Sequence, residues 1–145
     1  MNDTKYVFDY EQSKALFDKY KSIVEPKMCY NNIYHVACYE VGRIKNNKLK
    51  VAYGYISLNE ENTLYARHCF FVSGNTVIDP TIIASHKDNN ECYDYLVFKV
   101  FDSYEEYIRA IESEENHYPA LDNTLRRLDF EFMKDQHEQG KFFIS

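Results

Sequence analysis

The stretch from Leu64 to Thr81, LYARHCFFVSGNTVIDPT, leaves the backbone few choices. Aromatic and β-branched residues fill 64–72, Ser73-Gly74-Asn75 interrupts them, and Thr76-Val77-Ile78 resumes the pattern. That reads as two antiparallel strands about a tight turn. Asp79-Pro80-Thr81 stops the second strand, because proline has no N–H for the ladder and a fixed φ. Loop length then decides which side chains meet. A two-residue loop at Gly74-Asn75 sets Asp79 opposite Phe70, on the face of His68 and diagonal to it, roughly 7–8 Å away at the backbone. A three-residue loop turns Asp79 to the other face.

Upstream, residues 10–24 predict a helix with Leu16, Phe17, Tyr20, Ile23 and Val24 on one stripe. Asp9 with Gln12 forms a capping box at its start, and Pro26 ends the segment. A second helix is expected from Cys29 to about Tyr39, with Ile33, Val36 and Ala37 inward and Gly42 past its end. Residues 49–58 predict a strand, 59–62 a turn and 93–100 a further strand. Ser103 with Glu106 opens a helix over 104–114, and a last helix covers about 122–138, ending before Gly140. Helices first, then strands, then helices: the expectation is an α+β fold. N-terminal helices pack on an antiparallel sheet, C-terminal helices follow, and 1–145 form a single domain. A chain of 145 residues suits one core.

Charge and cysteine spacing exclude several classes. The net charge of -6 opposes a phosphate-backbone binder, so no nucleic acid is expected. The basic run Lys45-Asn46-Asn47-Lys48-Leu49-Lys50 reads as a solvated turn. Four cysteines, at 29, 38, 69 and 92, make no CxxC pair, and His35, His86, His117 and His137 show no ligand spacing. Neither a metal nor another cofactor is expected. Glu112-Ser113-Glu114-Glu115 reads as a solvated helix end. The first residues, MNDTKYVFDYEQSK, hold no apolar signal core, and no apolar run approaches the ~18 residues that span a bilayer. The expected setting is a reducing cytoplasm with free thiols and no membrane. Abundant Tyr, Asn, Lys and Glu suggests a bacterial or viral source.

Three residues carry chemistry on this map. Cys29 falls in the first turn of a helix, where unpaired N–H groups and the helix dipole favour a thiolate and can receive an oxyanion. His68 sits mid-strand, a rigid place for a general base and acid. Asp79, across the hairpin, can fix the tautomer of that imidazole. The plainer readings stand beside these: a lone Cys is more often core, and an Asp before Pro is often a turn former. Cys38 and Cys69 are expected in the core, and the apolar series Leu121, Leu125, Leu128 and Phe132 likewise.

MCYNN (28–32), YGY (53–55) and RHCFFVSGNTVIDPT (67–81) together resemble papain-like and transglutaminase-like cysteine enzymes. The resemblance implies Cys29 as nucleophile, His68 as base and Asp79 as the orienting acid. It also implies an acyl-thioester intermediate and no cofactor. Where that group commonly has Trp after the histidine, this chain has Cys69-Phe70, and no Gln precedes Cys29 at the papain spacing. Tyr55 is taken as the group near the oxyanion. The expected function is acyl transfer or hydrolysis at an amide or isopeptide bond of a protein or peptide substrate. Peptidoglycan peptides enter by family analogy. The alternative is an inactive binding or inhibitory module of the same fold, of phage or other viral origin. Oligomeric state is not readable from these residues.

Overall fold

Asp9 opens the first helix with its own side chain, accepting the Gln12 N–H at 2.9 Å, while Gln12 Nε2 returns a bond to the same carboxylate at 3.0 Å. The computed structural model describes residues 5–85, 94–113 and 123–144. In chain order the elements are β1 (Val7–Phe8), α1 (Tyr10–Tyr20), α2 (Cys29–Tyr39), α3 (Val41–Lys45), β2 (Lys50–Ser57), β3 (Leu64–Ser73), β4 (Thr76–Ile78), α4 (Pro80–Ser85), β5 (Tyr95–Val100), α5 (Tyr104–Ser113), α6 (Asn123–Glu138) and β6 (Phe142–Ile144). The α+β expectation holds, but the sheet is mixed rather than antiparallel. Its order is β1-β4-β3-β2-β5, with β6 also on β3. β1 on β4 and β6 on β3 are parallel pairs. Strands of two or three residues are too short to leave an alternation in the sequence.

Gly74, at φ 61, makes the β3–β4 turn, and Ser73 pairs with Thr76, so the loop is the two-residue one. Phe71 then faces Ile78, and the next pair in this register sets Asp79 across from Phe70. β6 takes residues 64–66 of one β3 edge and β4 takes 71–73. The span between them holds Arg67 and His68.

Alternate residues of β2 and β3 feed two cores. Val51, Tyr53, Cys69 and Phe71 meet Leu16 of α1, Ile33, Val36 and Ala37 of α2, Tyr107 of α5 and Leu125 of α6. Ala52, Ile56, Phe70, Val72, Val77 and Tyr95 form the other, with Phe8 and Ile82 against them.

Several local expectations are corrected. The helix predicted to reach residue 24 stops at Tyr20, though Val24 still packs into the core. Gly42 lies inside α3 instead of terminating α2. Cys38 is exposed, with its sulfur 3.8 Å from the Tyr104 hydroxyl. Asp79-Pro80 does more than end a strand: it starts α4, with proline at the first helical position, where its missing N–H is harmless. On α6, Leu125 is buried and Leu128 exposed, while Asp129 is buried at 4%. The apolar stripe had passed over that charged residue. Leu121, Cys92, His86, His117, Glu114 and Glu115 lie outside the described residues. Among the described residues, no helix is long and apolar enough to cross a membrane.

Gly54 pairs with His68 on one side and sits at a register shift against β5 on the other. A Cβ there would lie 1.8 Å from the Leu96 carbonyl oxygen. Gly54→Ala must therefore separate β2 from β5. The expected loss is about 3 kcal/mol, seen as a melting temperature lower by roughly 10 °C. An unchanged melting temperature would show that the close approach does not exist.

Candidate functional site

Cys29 is the first residue of α2, and Met28 at the N-cap makes no side-chain capping bond. The first intrahelical bond runs from the Asn32 N–H to the Met28 carbonyl at 2.8 Å. The entry to this helix is fixed by Asn32. Its Oδ1 accepts the Glu25 N–H at 3.0 Å, and its Nδ2 donates to the Glu25 carbonyl at 2.7 Å and to Thr81 Oγ1 at 3.0 Å. Lys27, between those anchors, takes φ 64. The chain thus reverses just before Cys29, and the helix start is tied to α4.

His68 and Asp79 meet as the two-residue loop requires. Nε2 lies 2.7 Å from Asp79 Oδ2, and the carboxylate is wholly buried. The same oxygen accepts the Tyr95 hydroxyl at 2.7 Å, while Oδ1 faces the Ile82 N–H at 3.4 Å and caps α4. The Asp79 N–H is held by Ser13 Oγ at 2.8 Å, and that hydroxyl donates to the Asp9 carbonyl at 2.6 Å. A carboxylate can only accept, so Nε2 carries its proton toward Asp79 and Nδ1 is left for Cys29.

Burial on its own pushes the His68 pKa down, but the charge and hydrogen bond of Asp79 outweigh it, helped by a hydrogen bond and charge interaction with Cys29. The net result is a rise from 6.5 to about 10. The fold thus brings Cys29, distant in sequence, within electrostatic reach of His68. Cys69, wholly buried on the opposite face of β3, has its thiol pushed well above its ordinary value, first by burial and then by the charge of Cys29.

Tyr55 does not belong to this group. Its hydroxyl is bonded to Asp129 of α6, its ring stacks on Phe132 at 6.0 Å, and burial followed by that bond raises its pKa. A phenol has one proton to donate, and this one is spent on a buried carboxylate. Arg67 completes the cluster by pairing with the other oxygen of Asp129. His35 and His137 are exposed. Among the described residues, no group of three or more His, Cys, Asp or Glu could hold a metal ion.

Ser13, Asn32 and Tyr95 were not singled out from the sequence. Ser13 had a signal: with Leu16, Phe17 and Tyr20 it completes the i, i+3, i+4, i+7 stripe, so a polar residue stood on a buried face. Tyr95, one of 14 tyrosines, had none. The chain matches no family model, and no curated protein and no solved structure is significantly similar to it.

The folded-state pKa of His68 lies above its unfolded value. The contribution of its charge to stability is therefore complete below about pH 6.5, declines as pH rises, and is gone above about pH 10. Asp79→Asn removes the largest raising influence and leaves burial to act. Imidazole nitrogen shifts followed by NMR should show the wild-type ring charged through neutral pH. In the variant the midpoint should fall by about 2 pH units or more. A wild-type midpoint near 6.5 would mean that Asp79 does not hold the charge.

Proposed function

We propose that the chain is a thiol enzyme of the papain-like or transglutaminase-like kind, which opens an amide or isopeptide bond through an acyl-thioester on Cys29. The observation that carries this reading is the orientation of one imidazole. With Nε2 committed to Asp79 at 2.7 Å, Nδ1 is the nitrogen left free to work with Cys29. The order of elements agrees with the resemblance: a cysteine opening a helix, a histidine on a strand, an aspartate beyond the hairpin.

The steps follow from what each group can donate. With the proton already held on His68 Nδ1, the Cys29 sulfur attacks the carbonyl carbon. The uncapped N–H groups of the first turn of α2 face the oxygen on which negative charge develops. Imidazolium Nδ1–H then protonates the leaving nitrogen, the C–N bond breaks, and the acyl group stays on sulfur. In the second half, water or an amine attacks the thioester, His68 takes the proton of that nucleophile, and the C–S bond breaks to free the sulfur beside the recharged ring. Water makes the reaction a hydrolysis, and an amine makes it a transamidation. Asp79 accepts the Nε2 proton throughout and keeps the ring in place.

Alkylation by iodoacetamide at about pH 6.5, with sites read by mass spectrometry, tests this with an internal control. Cys38 is the more exposed thiol, so accessibility alone would make it react first. Cys29 is expected to react faster than Cys38, and His68→Ala to slow Cys29 at least about tenfold while leaving Cys38 unchanged. If Cys29 is slower than Cys38 and indifferent to His68→Ala, the enzyme reading is wrong and the fold serves as a binding module.

A further inference from the structure

Two buried side-chain atoms among the described residues have no hydrogen-bond partner: Tyr30 Oη and Arg67 Nε. Each belongs to a direct chain neighbour of a site residue, Tyr30 following Cys29 and Arg67 preceding His68. They also lie over one face of the sheet. The Tyr30 ring packs edge-on against Tyr53 with centroids 5.4 Å apart, and the Arg67 guanidinium sits 5.8 Å from the centre of the Tyr55 ring. Tyr53 and Tyr55 are alternate residues of β2, so these two footholds are only about 7 Å apart.

Both orphans are donors. Burial, the largest influence, holds the proton on the Tyr30 phenol, and a guanidinium Nε–H can only donate. Buried donors without an acceptor are costly and uncommon in folded proteins. An acceptor from outside would satisfy both, and its charge can be read from what surrounds them. The positive charge of Arg67 is already balanced by Asp129. A carboxylate brought to this place would add a second negative charge beside Asp129, whereas an uncharged carbonyl oxygen meets two donors and no repulsion.

We propose that Tyr30 Oη–H and Arg67 Nε–H form a subsite for an uncharged amide carbonyl of the substrate, a carbonyl other than the one Cys29 attacks. This builds on the thiol-enzyme reading and narrows it: the substrate carries a second amide carbonyl near the reacting one, as a peptide does and a simple amide does not. Both atoms are shielded from solvent. Binding there requires the Tyr30 side chain, half-buried at the start of α2, to turn its hydroxyl toward the substrate.

Two alkylating probes separate the subsite from the nucleophile. Chloroacetone has one carbonyl; acetylglycyl chloromethyl ketone has the same reacting group and an added amide carbonyl. In both, the Cys29 sulfur bonds to the methylene carbon as chloride leaves. The wild-type protein is expected to react faster with the acetylglycyl probe. Tyr30→Phe should lower that rate about tenfold, the equivalent of one hydrogen bond, while the chloroacetone rate stays within about twofold. Arg67→Lys keeps a cation toward Asp129 without the Nε–H and should act in the same direction. The melting temperature of Tyr30→Phe should be unchanged or higher, because the hydroxyl removed has no partner. Parallel loss of both rates, no change in either, or a lower melting temperature for Tyr30→Phe would overturn the subsite. Failure of Cys29 to react with chloroacetone in the wild-type protein would instead overturn the thiol-enzyme reading, and the subsite with it.

Discussion

A carboxylate sealed from solvent organises this protein. Asp79 is 0% exposed, and removing an ion from water costs several kcal/mol unless it is paired and hydrogen-bonded. Its partners come from four elements: His68 on β3, Tyr95 on β5, the Ile82 N–H on α4 and, at its own N–H, Ser13 on α1. Hairpin geometry brings His68 and the start of α4 brings the Ile82 N–H, but Tyr95 and Ser13 are near it by neither. These two arrive only when α1 and β5 have docked. Burying the charge and assembling the domain are therefore one event, and loss of a charged partner from such a pair costs roughly 3–5 kcal/mol. What orients the imidazole is the same set of bonds that holds β3, β5, α1 and α4 together.

β3 serves a second carboxylate on its other face. Arg67 and His68 are consecutive, so they project to opposite sides of the sheet, one meeting Asp129 from α6 and the other Asp79. Each buried anion is matched to one cation of the strand and one tyrosine hydroxyl from another strand of the sheet, Tyr55 of β2 or Tyr95 of β5. Neither carboxylate competes for the other's partner, because the strand itself separates them. Gly54, opposite His68, lets β5 approach closely enough to bring Tyr95 in.

The residues that bring the site together were more legible than the frame around it. The His68–Asp79 face was conditional on a two-residue turn, and Gly74 at φ 61 makes that turn. The start of α2 at Cys29 and the caps at Asp9 and Ser103 follow from local chemistry, which one stretch of chain contains in full. What escaped depends on distant contacts. The partner of Tyr55 lies on α6, and nothing near Tyr55 in the sequence indicates that its hydroxyl is taken. Asp129 interrupts an apolar stripe because Arg67 compensates it across the interior. β1 and β6 are too short for a period, and α4 was hidden because Asp-Pro marks both the end of a strand and the start of a helix.

The strength of the His68–Asp79 pair raises a difficulty for the proposed reaction, and the proposal carries its own answer. An imidazole whose pKa is raised this far above 6.5 is held mainly in its charged form at pH 7. That suits the first half, where His68 must give a proton to the leaving nitrogen, and opposes the second, where it must take one from the incoming nucleophile. Two of the influences that raise this pKa come from Cys29, through its hydrogen bond and its charge. Both vanish once the sulfur bears an acyl group, while burial, the largest opposing influence, remains. Acylation thus lowers the basicity barrier at the step that needs a base, and release of the acyl group restores the acid form. In the proposed cycle Asp79 would supply the constant part of the field and the sulfur the part that changes, so one imidazole would serve both halves without moving.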